Sequence, residues 1–146
     1  MDSSPGTYAL LLRCDQDMSV QIGRWGRLVT RPGYYVYVGS AFGPGGLRAR
    51  VLRHRRRDKT PHWHIDYLRA ITTPVLVWYS RDARRLEHRW AQALAQLPGM
   101  RPVQGFGCSD CRCAAHLFFA AKRPTFATFA RVAPGDPAAW RGTTPD

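Results

Sequence analysis

Apolar residues fall along this chain in short blocks separated by glycine, proline and charge, and the period of each block names an element. Gly6-Thr-Tyr-Ala-Leu-Leu-Leu12 is an unbroken run between Pro5 and a polar cluster at 15–19, the mark of a buried strand. Ser19-Val-Gln-Ile-Gly23 alternates and predicts a second strand, with Gly23 and Gly26 bending the chain around Trp25. Arg31-Pro-Gly33 is a turn signal. Tyr34-Tyr-Val-Tyr-Val38, β-branched and aromatic, is the strongest strand signal in the chain.

A glycine-rich stretch, Gly39 to Gly46, then hands over to helical spacing. From Leu47 to Arg57, the residues Leu47, Val51 and His54 form one stripe, and Arg48, Arg50, Arg53, Arg55, Arg56 and Arg57 surround it. His62 to Arg69 predicts a short helix after Pro61, and Val75 to Tyr79 a further strand. Ala83 to Leu97 predicts a helix on the spacing of Leu86, Trp90, Ala93, Leu94 and Leu97, stopped by Pro98-Gly99. Residues 106–113 read as an irregular turn-rich segment, and His116 to Ala121 as the final strand. The expected organisation is one domain over 1–133 and a loose C-terminal tail over 134–146, rich in Pro, Gly, Asp and Thr. Irregular alternation with short early connections favours an α+β domain, a central and mainly antiparallel sheet flanked by helices, over a doubly wound parallel one.

Charge sharpens this picture. Lys and Arg number 22, of which 20 are Arg, against 10 acidic residues, giving a formal charge of +12. Guanidinium groups pair bidentately with phosphate at any physiological pH, so nucleic acid is the expected partner, DNA before RNA. A genome bias towards Arg codons accounts for Arg over Lys but not for the shortage of acids. The only glutamate is Glu87. No apolar run approaches the roughly 20 residues that span a bilayer, so no membrane is expected. The N-terminus has no basic and apolar leader pattern, which makes the cytoplasm the expected compartment. Three of the four cysteines crowd into 108–113, which does not suit a disulfide framework.

Four ordered features carry a resemblance. Gly6-Thr7-Tyr8 and Tyr37-Val38-Gly39 resemble the two halves of the GIY-YIG nuclease signature, Leu47-Arg-Ala-Arg50 with His54 resembles that family's next helix, and Glu87 follows on a later one. Gly33 to Ala41, His62 to Leu68 and the Cys108 to Phe118 segment more closely resemble the small stand-alone Uri-type endonucleases of that superfamily. The resemblance implies a small GIY-YIG-like domain that cleaves phosphodiester bonds with Mg²⁺ or Mn²⁺. It implies Glu87 as metal ligand, Arg50 on the scissile phosphate, Tyr8 or Tyr37 positioning or deprotonating water, and His54 as general base. With an ordinary pKa of roughly 6.5, His suits a base better than Tyr at roughly 10.

The chain departs from the pattern in three places. The stretch between the half-motifs is long, and Thr7 and Val38 stand at the two isoleucine positions, an exchange expected to be harmless among β-branched residues. The Gly-Pro-Gly-Gly before Leu47 shifts the arginine, leaving Arg48 as a substitute for Arg50. Each residue also has a plain structural alternative: Tyr8 and Tyr37 as packing, Arg50 as solvated charge, His54 as cap or core, and Glu87 paired with Arg84.

Two further clusters stand apart. His62, His64 and Asp66 are candidates for a second metal or substrate-contacting group, against a helical turn in which Asp66 pairs with an arginine. Cys108, Cys111, Cys113 and His116 offer four soft ligands in nine residues, a candidate Zn²⁺ site. Arg48, Arg53, Arg55, Arg56 and Arg57 are the candidate nucleic-acid contacts. The rival readings are a non-catalytic DNA- or RNA-binding module of the same fold and a Cys/His metal-binding accessory protein. Sequence specificity would come from a targeting partner or from a homodimer.

Overall fold

The computed structural model describes residues 1–56, 64–104, 106 and 115–141. Its elements are β1 (Gly6–Cys14), β2 (Met18–Ile22), β3 (Gly26–Thr30), β4 (Gly33–Ala41), α1 (Gly46–Arg55), α2 (His64–Arg69), β5 (Thr73–Ser80), α3 (Glu87–Ala95), β6 (Arg101–Pro102), β7 (Leu117–Ala120), α4 (Phe126–Ala130) and β8 (Ala138–Trp140). Six strands form one sheet in the order β6-β7-β4-β1-β5-β8, with every neighbouring pair antiparallel. The fold class is α+β, and β2 with β3 forms a separate hairpin.

The unbroken apolar run of β1 follows from its place in the middle. Tyr8, Leu10 and Leu12 point into a core shared with Leu47 and Val51 of α1, Ile65 and Leu68 of α2, and Ile22 and Leu28 of the hairpin. Ala9 and Leu11 point into a second core built with Leu86, Trp90 and Leu94 around α3 and Phe129 of α4. A strand covered on both faces cannot alternate apolar with polar, because either face would bury a polar side chain without a partner. In the second core Trp78 stacks on Phe129 at 4.6 Å, and Trp90 meets the same ring edge-on at 4.9 Å.

Three expectations are corrected. The segment from Pro134 is not loose as far as 141: Ala138–Trp140 pairs with Val77–Tyr79, and Pro134 accepts a 2.9 Å hydrogen bond from the Trp90 indole. Helix α3 begins at Glu87 rather than Ala83. The preceding chain is held by Asp82, whose Oδ1 accepts from the Arg84 amide two residues on at 2.9 Å, a turn that competes with helix formation. Gly26 is expected at a bend and no element is expected from there to Thr30, yet Gly26–Thr30 is a strand paired with β2.

Buried Arg69, 3% exposed, ties α1 to α2. It donates to the carbonyls of His54 at 2.7 Å and Arg55 at 3.1 Å, and to that of Thr72. Those first two carbonyls close α1 and have no partner within the helix, so the guanidinium satisfies the helix end that carries His54.

Candidate active site

The sheet brings Tyr8 opposite Gly39 on one side and Tyr79 on the other. A Cβ at position 39 would run into the Tyr8 hydroxyl and ring, so this contact between β1 and β4 requires glycine. The two half-motifs are thus one packed unit, not two strand ends. Tyr37 lies two residues back on β4, its ring centroid 6.4 Å from that of Tyr8.

Helix α1 supplies the next residues. Arg50 and His54 are four apart, on one face. His54 is fully buried, and its Nε2 shares a 2.6 Å hydrogen bond with Tyr8 Oη. The His54 ring also meets Tyr37 edge-on at 5.9 Å. Arg50 hydrogen-bonds towards Tyr8 and adds a favourable charge there. Burial nonetheless pushes the Tyr8 phenol well above its ordinary range, helped by Tyr37 and Glu87 and opposed by Arg50. Tyr8 is therefore a neutral phenol across physiological pH. Arg48, the substitute, contributes its amide to the Asp2 carbonyl at 3.0 Å, which anchors the N-terminal residues to α1.

Glu87 enters from the opposite face of the sheet at the first turn of α3. An anion is favoured at that helix end by the unsatisfied amides there. Ser40 donates its hydroxyl to Oε1, and His116 Nδ1 lies 2.8 Å from Oε2. Desolvation raises the Glu87 carboxyl, but the hydrogen bonds from His116 and Ser40, with the charges of His116 and His88, outweigh it and hold the group below its ordinary value. The carboxylate also acts electrostatically on Tyr8, so the two lie within reach of one another at the same end of the sheet. Thr7, beside Tyr8, fixes the approach of α3: its Oγ1 accepts the amide of Leu86 at 3.2 Å. Arg84 does not compete for Glu87, as it pairs with Asp82 at 2.8 Å.

Tyr8, Tyr37, Arg50 and His54 therefore gather on one face of the sheet, and Glu87, held on the opposite face, acts on Tyr8 through its charge. The second candidate cluster is described only in part. Asp66 is buried and takes a bidentate pair from Arg53 at 2.8 and 2.9 Å. The His64 ring rests on Phe106 at 5.7 Å, and His62 lies outside the described residues. Arg53 is thereby engaged in a structural ion pair. Arg55 packs its guanidinium over Trp140 at 5.5 Å, so it too is half committed to the fold. Arg56 is exposed, and Arg57 lies outside the described residues, as do Cys108, Cys111 and Cys113. His116, the one described member of that candidate zinc set, faces Glu87.

Ser40, His88 and the pairing of His116 with Glu87 were not read from the sequence. Ser40 directly follows the Tyr-Val-Gly half-motif and His88 directly follows Glu87, so adjacency was the available signal for both. Among the described residues, Glu87, His88 and His116 form a group whose ligand atoms lie within 4.8 Å of one another. At the rim, Arg85 lies over the Phe42 ring at 4.6 Å, between the glycine stretch and Glu87.

Fold and site define a small α+β domain with a tyrosine–histidine–arginine–glutamate cluster on its central sheet. The chain belongs to the family described as domain of unknown function DUF123, whose model matches residues 7–134. No curated protein and no solved structure matches the chain significantly. No helix among the described residues is long and apolar enough to cross a membrane.

Proposed function

We propose that the protein is a GIY-YIG-type endonuclease, hydrolysing phosphodiester bonds of nucleic acid, DNA before RNA, with a divalent cation at Glu87. The observation that supports the reading is the gathering of Tyr8, Tyr37, Arg50 and His54 from three elements, with Glu87 near enough across the sheet to act on Tyr8 by its charge, in a chain of charge +12. Packing alone explains Tyr8 and Tyr37. It does not explain why the only glutamate is held ionised beside them.

Glu87 fits a hard cation: it is one carboxylate kept below its ordinary pKa, with Ser40 and His116 as exchangeable partners. When bound, Mg²⁺ or Mn²⁺ would supply charge stabilisation of the leaving oxygen. Arg50 holds the phosphate and stabilises the charge that builds on it. Tyr8, too weak an acid to ionise, orients the attacking water through its hydroxyl and, as it takes the water's proton, passes its own to His54 Nε2, so the phenol stays neutral and His54 holds the proton.

A non-catalytic nucleic-acid-binding module of the same fold is the second reading. It is favoured by the burial of Tyr8 and His54, 1% and 0% exposed, which leaves water little access. A cleavage screen of duplex, branched and single-stranded substrates with Mg²⁺ or Mn²⁺ separates the two. The expected outcome is cleavage that Glu87→Ala abolishes while salt-sensitive binding persists. Arg50→Ala should slow cleavage by about 10²–10³-fold with a smaller loss of affinity. Absence of cleavage on every substrate by the unaltered protein overturns the enzyme reading.

A further inference from the structure

We infer that Glu87, His88 and His116 form a three-ligand site selective for a borderline first-row divalent cation of the Co²⁺–Zn²⁺ range over Mg²⁺. The inference rests on Glu87 as a metal ligand and adds the two imidazoles that decide which metal it takes. One carboxylate with waters suits Mg²⁺; one carboxylate with two imidazoles is the donor set of catalytic zinc and of 2-His-1-carboxylate centres, with open positions left for substrate.

The geometry supports three donors rather than a simple ion pair. His116 is 3% exposed and fixed by its backbone: its amide donates to the Phe106 carbonyl at 2.8 Å, and its carbonyl accepts from the Val38 amide at 2.9 Å. Its Nδ1 is thereby delivered to Glu87 Oε2 at 2.8 Å. His88, next to Glu87 on the first turn of α3, sets its ring 5.7 Å from that of His116. An ion pair between Glu87 and His116 accounts for two of these groups, and His88 adds a third donor within reach of both. Metal bonds of about 2.0–2.2 Å require donor atoms about 3–3.5 Å apart. The present spread, up to 4.8 Å, closes by rotation of His88, which is exposed and moves without disturbing the core.

Co²⁺ titration of the full chain, read by visible absorption and calorimetry without nucleic acid, tests the site. The expected result is one Co²⁺ per chain with visible bands, bound about 100-fold or more tighter than Mg²⁺ in competition. His88→Ala, a surface change that leaves the fold intact, should weaken Co²⁺ about tenfold or more and leave Mg²⁺ within about twofold. Glu87→Gln should weaken both. Equal affinities for the two cations, or a Co²⁺ affinity indifferent to His88→Ala, overturns the inference. So does a sulfur-to-cobalt charge-transfer band unchanged in His88→Ala, which would place the cation on the cysteines. Selective Co²⁺ binding without cleavage of any substrate would leave this site standing and remove the nuclease reading. Cleavage with Mg²⁺ together with equal Co²⁺ and Mg²⁺ affinities would do the reverse.

Discussion

Thr7→Val separates the structural account from the motif that first drew attention to this strand. By pattern the position asks for any β-branched residue, and Val keeps the shape. The hydroxyl nevertheless has a partner, because Thr7 is fully buried and its Oγ1 is the acceptor for the Leu86 amide at 3.2 Å. Valine leaves that amide without an acceptor in a buried place, at a cost of about 1–3 kcal/mol. The added methyl regains at most about 0.8 kcal/mol, so a net loss centred near about 1 kcal/mol, and reaching about 2, is expected. For a chain of this size, that lowers Tm by about 2–8 °C. Urea unfolding with an unchanged m-value gives the free energy, and hydrogen exchange at Leu86 gives the cause. Thr7→Ser removes a methyl yet keeps the acceptor, so Leu86 should stay protected in that variant and lose protection in Thr7→Val. A valine variant within about 0.5 kcal/mol of the unaltered protein, with Leu86 still protected, would refute the reasoning.

Three further outcomes follow from the charges. Arg53→Ala removes the bidentate partner of buried Asp66 and should cost about 1.5–3 kcal/mol of stability. Arg48→Ala, which keeps its amide bond to the Asp2 carbonyl, should leave stability within about 0.5 kcal/mol and lower nucleic-acid affinity; thermal unfolding and salt-dependent binding check the pair. Glu87 is held below its ordinary value, so its contribution is present above the unfolded-state pKa of 4.5 and lost as pH falls through its lower folded-state value. The stability difference between the unaltered protein and Glu87→Gln should therefore shrink as pH falls below about 4.5, measured by urea unfolding from about pH 5.5 downward.

What was legible in the sequence was what local order determines. The β1 run, the aromatic β4 strand and the stripe of α1 each carry their period within ten residues, and the site residues Tyr8, Tyr37, Arg50 and His54 ride on those elements. Elements held by distant partners were missed. The Ala138–Trp140 strand is three residues among Pro and Gly, and it exists because β5 has an open edge for it. Helix α4 spans five residues, too short to show a period, and depends on its cap, where Thr125 Oγ1 accepts the Thr128 amide at 3.3 Å. The same division holds at the site. Glu87 stood out by composition, but Ser40 and His116 reach it only after β4 and β7 pair in the sheet. Asp66 read equally well as ligand or salt-bridge partner, and only the approach of α2 to α1 decided for Arg53.

The arginine excess acquires a different meaning once its members are followed individually. Helix α1 reads as a uniformly basic face, yet Arg53 neutralises Asp66, Arg55 covers Trp140 and Arg50 turns towards Tyr8. Part of the charge that suggests a polyanion partner is thus consumed in building the domain. On the proposed nuclease reading, net charge would draw a polyanion in but could not select the scissile phosphate, because screening erases such attraction beyond about 10 Å. Selection has to come from the residues that remain ordered at the sheet: one arginine, one neutral phenol, one buried imidazole and one carboxylate. The carboxylate is the exception in sign. In a chain this basic, an ionised glutamate could satisfy itself with almost any arginine on the surface. Glu87 is held instead by a hydroxyl and an imidazole, partners that a cation can replace, and its nearest candidate arginine is tied to Asp82.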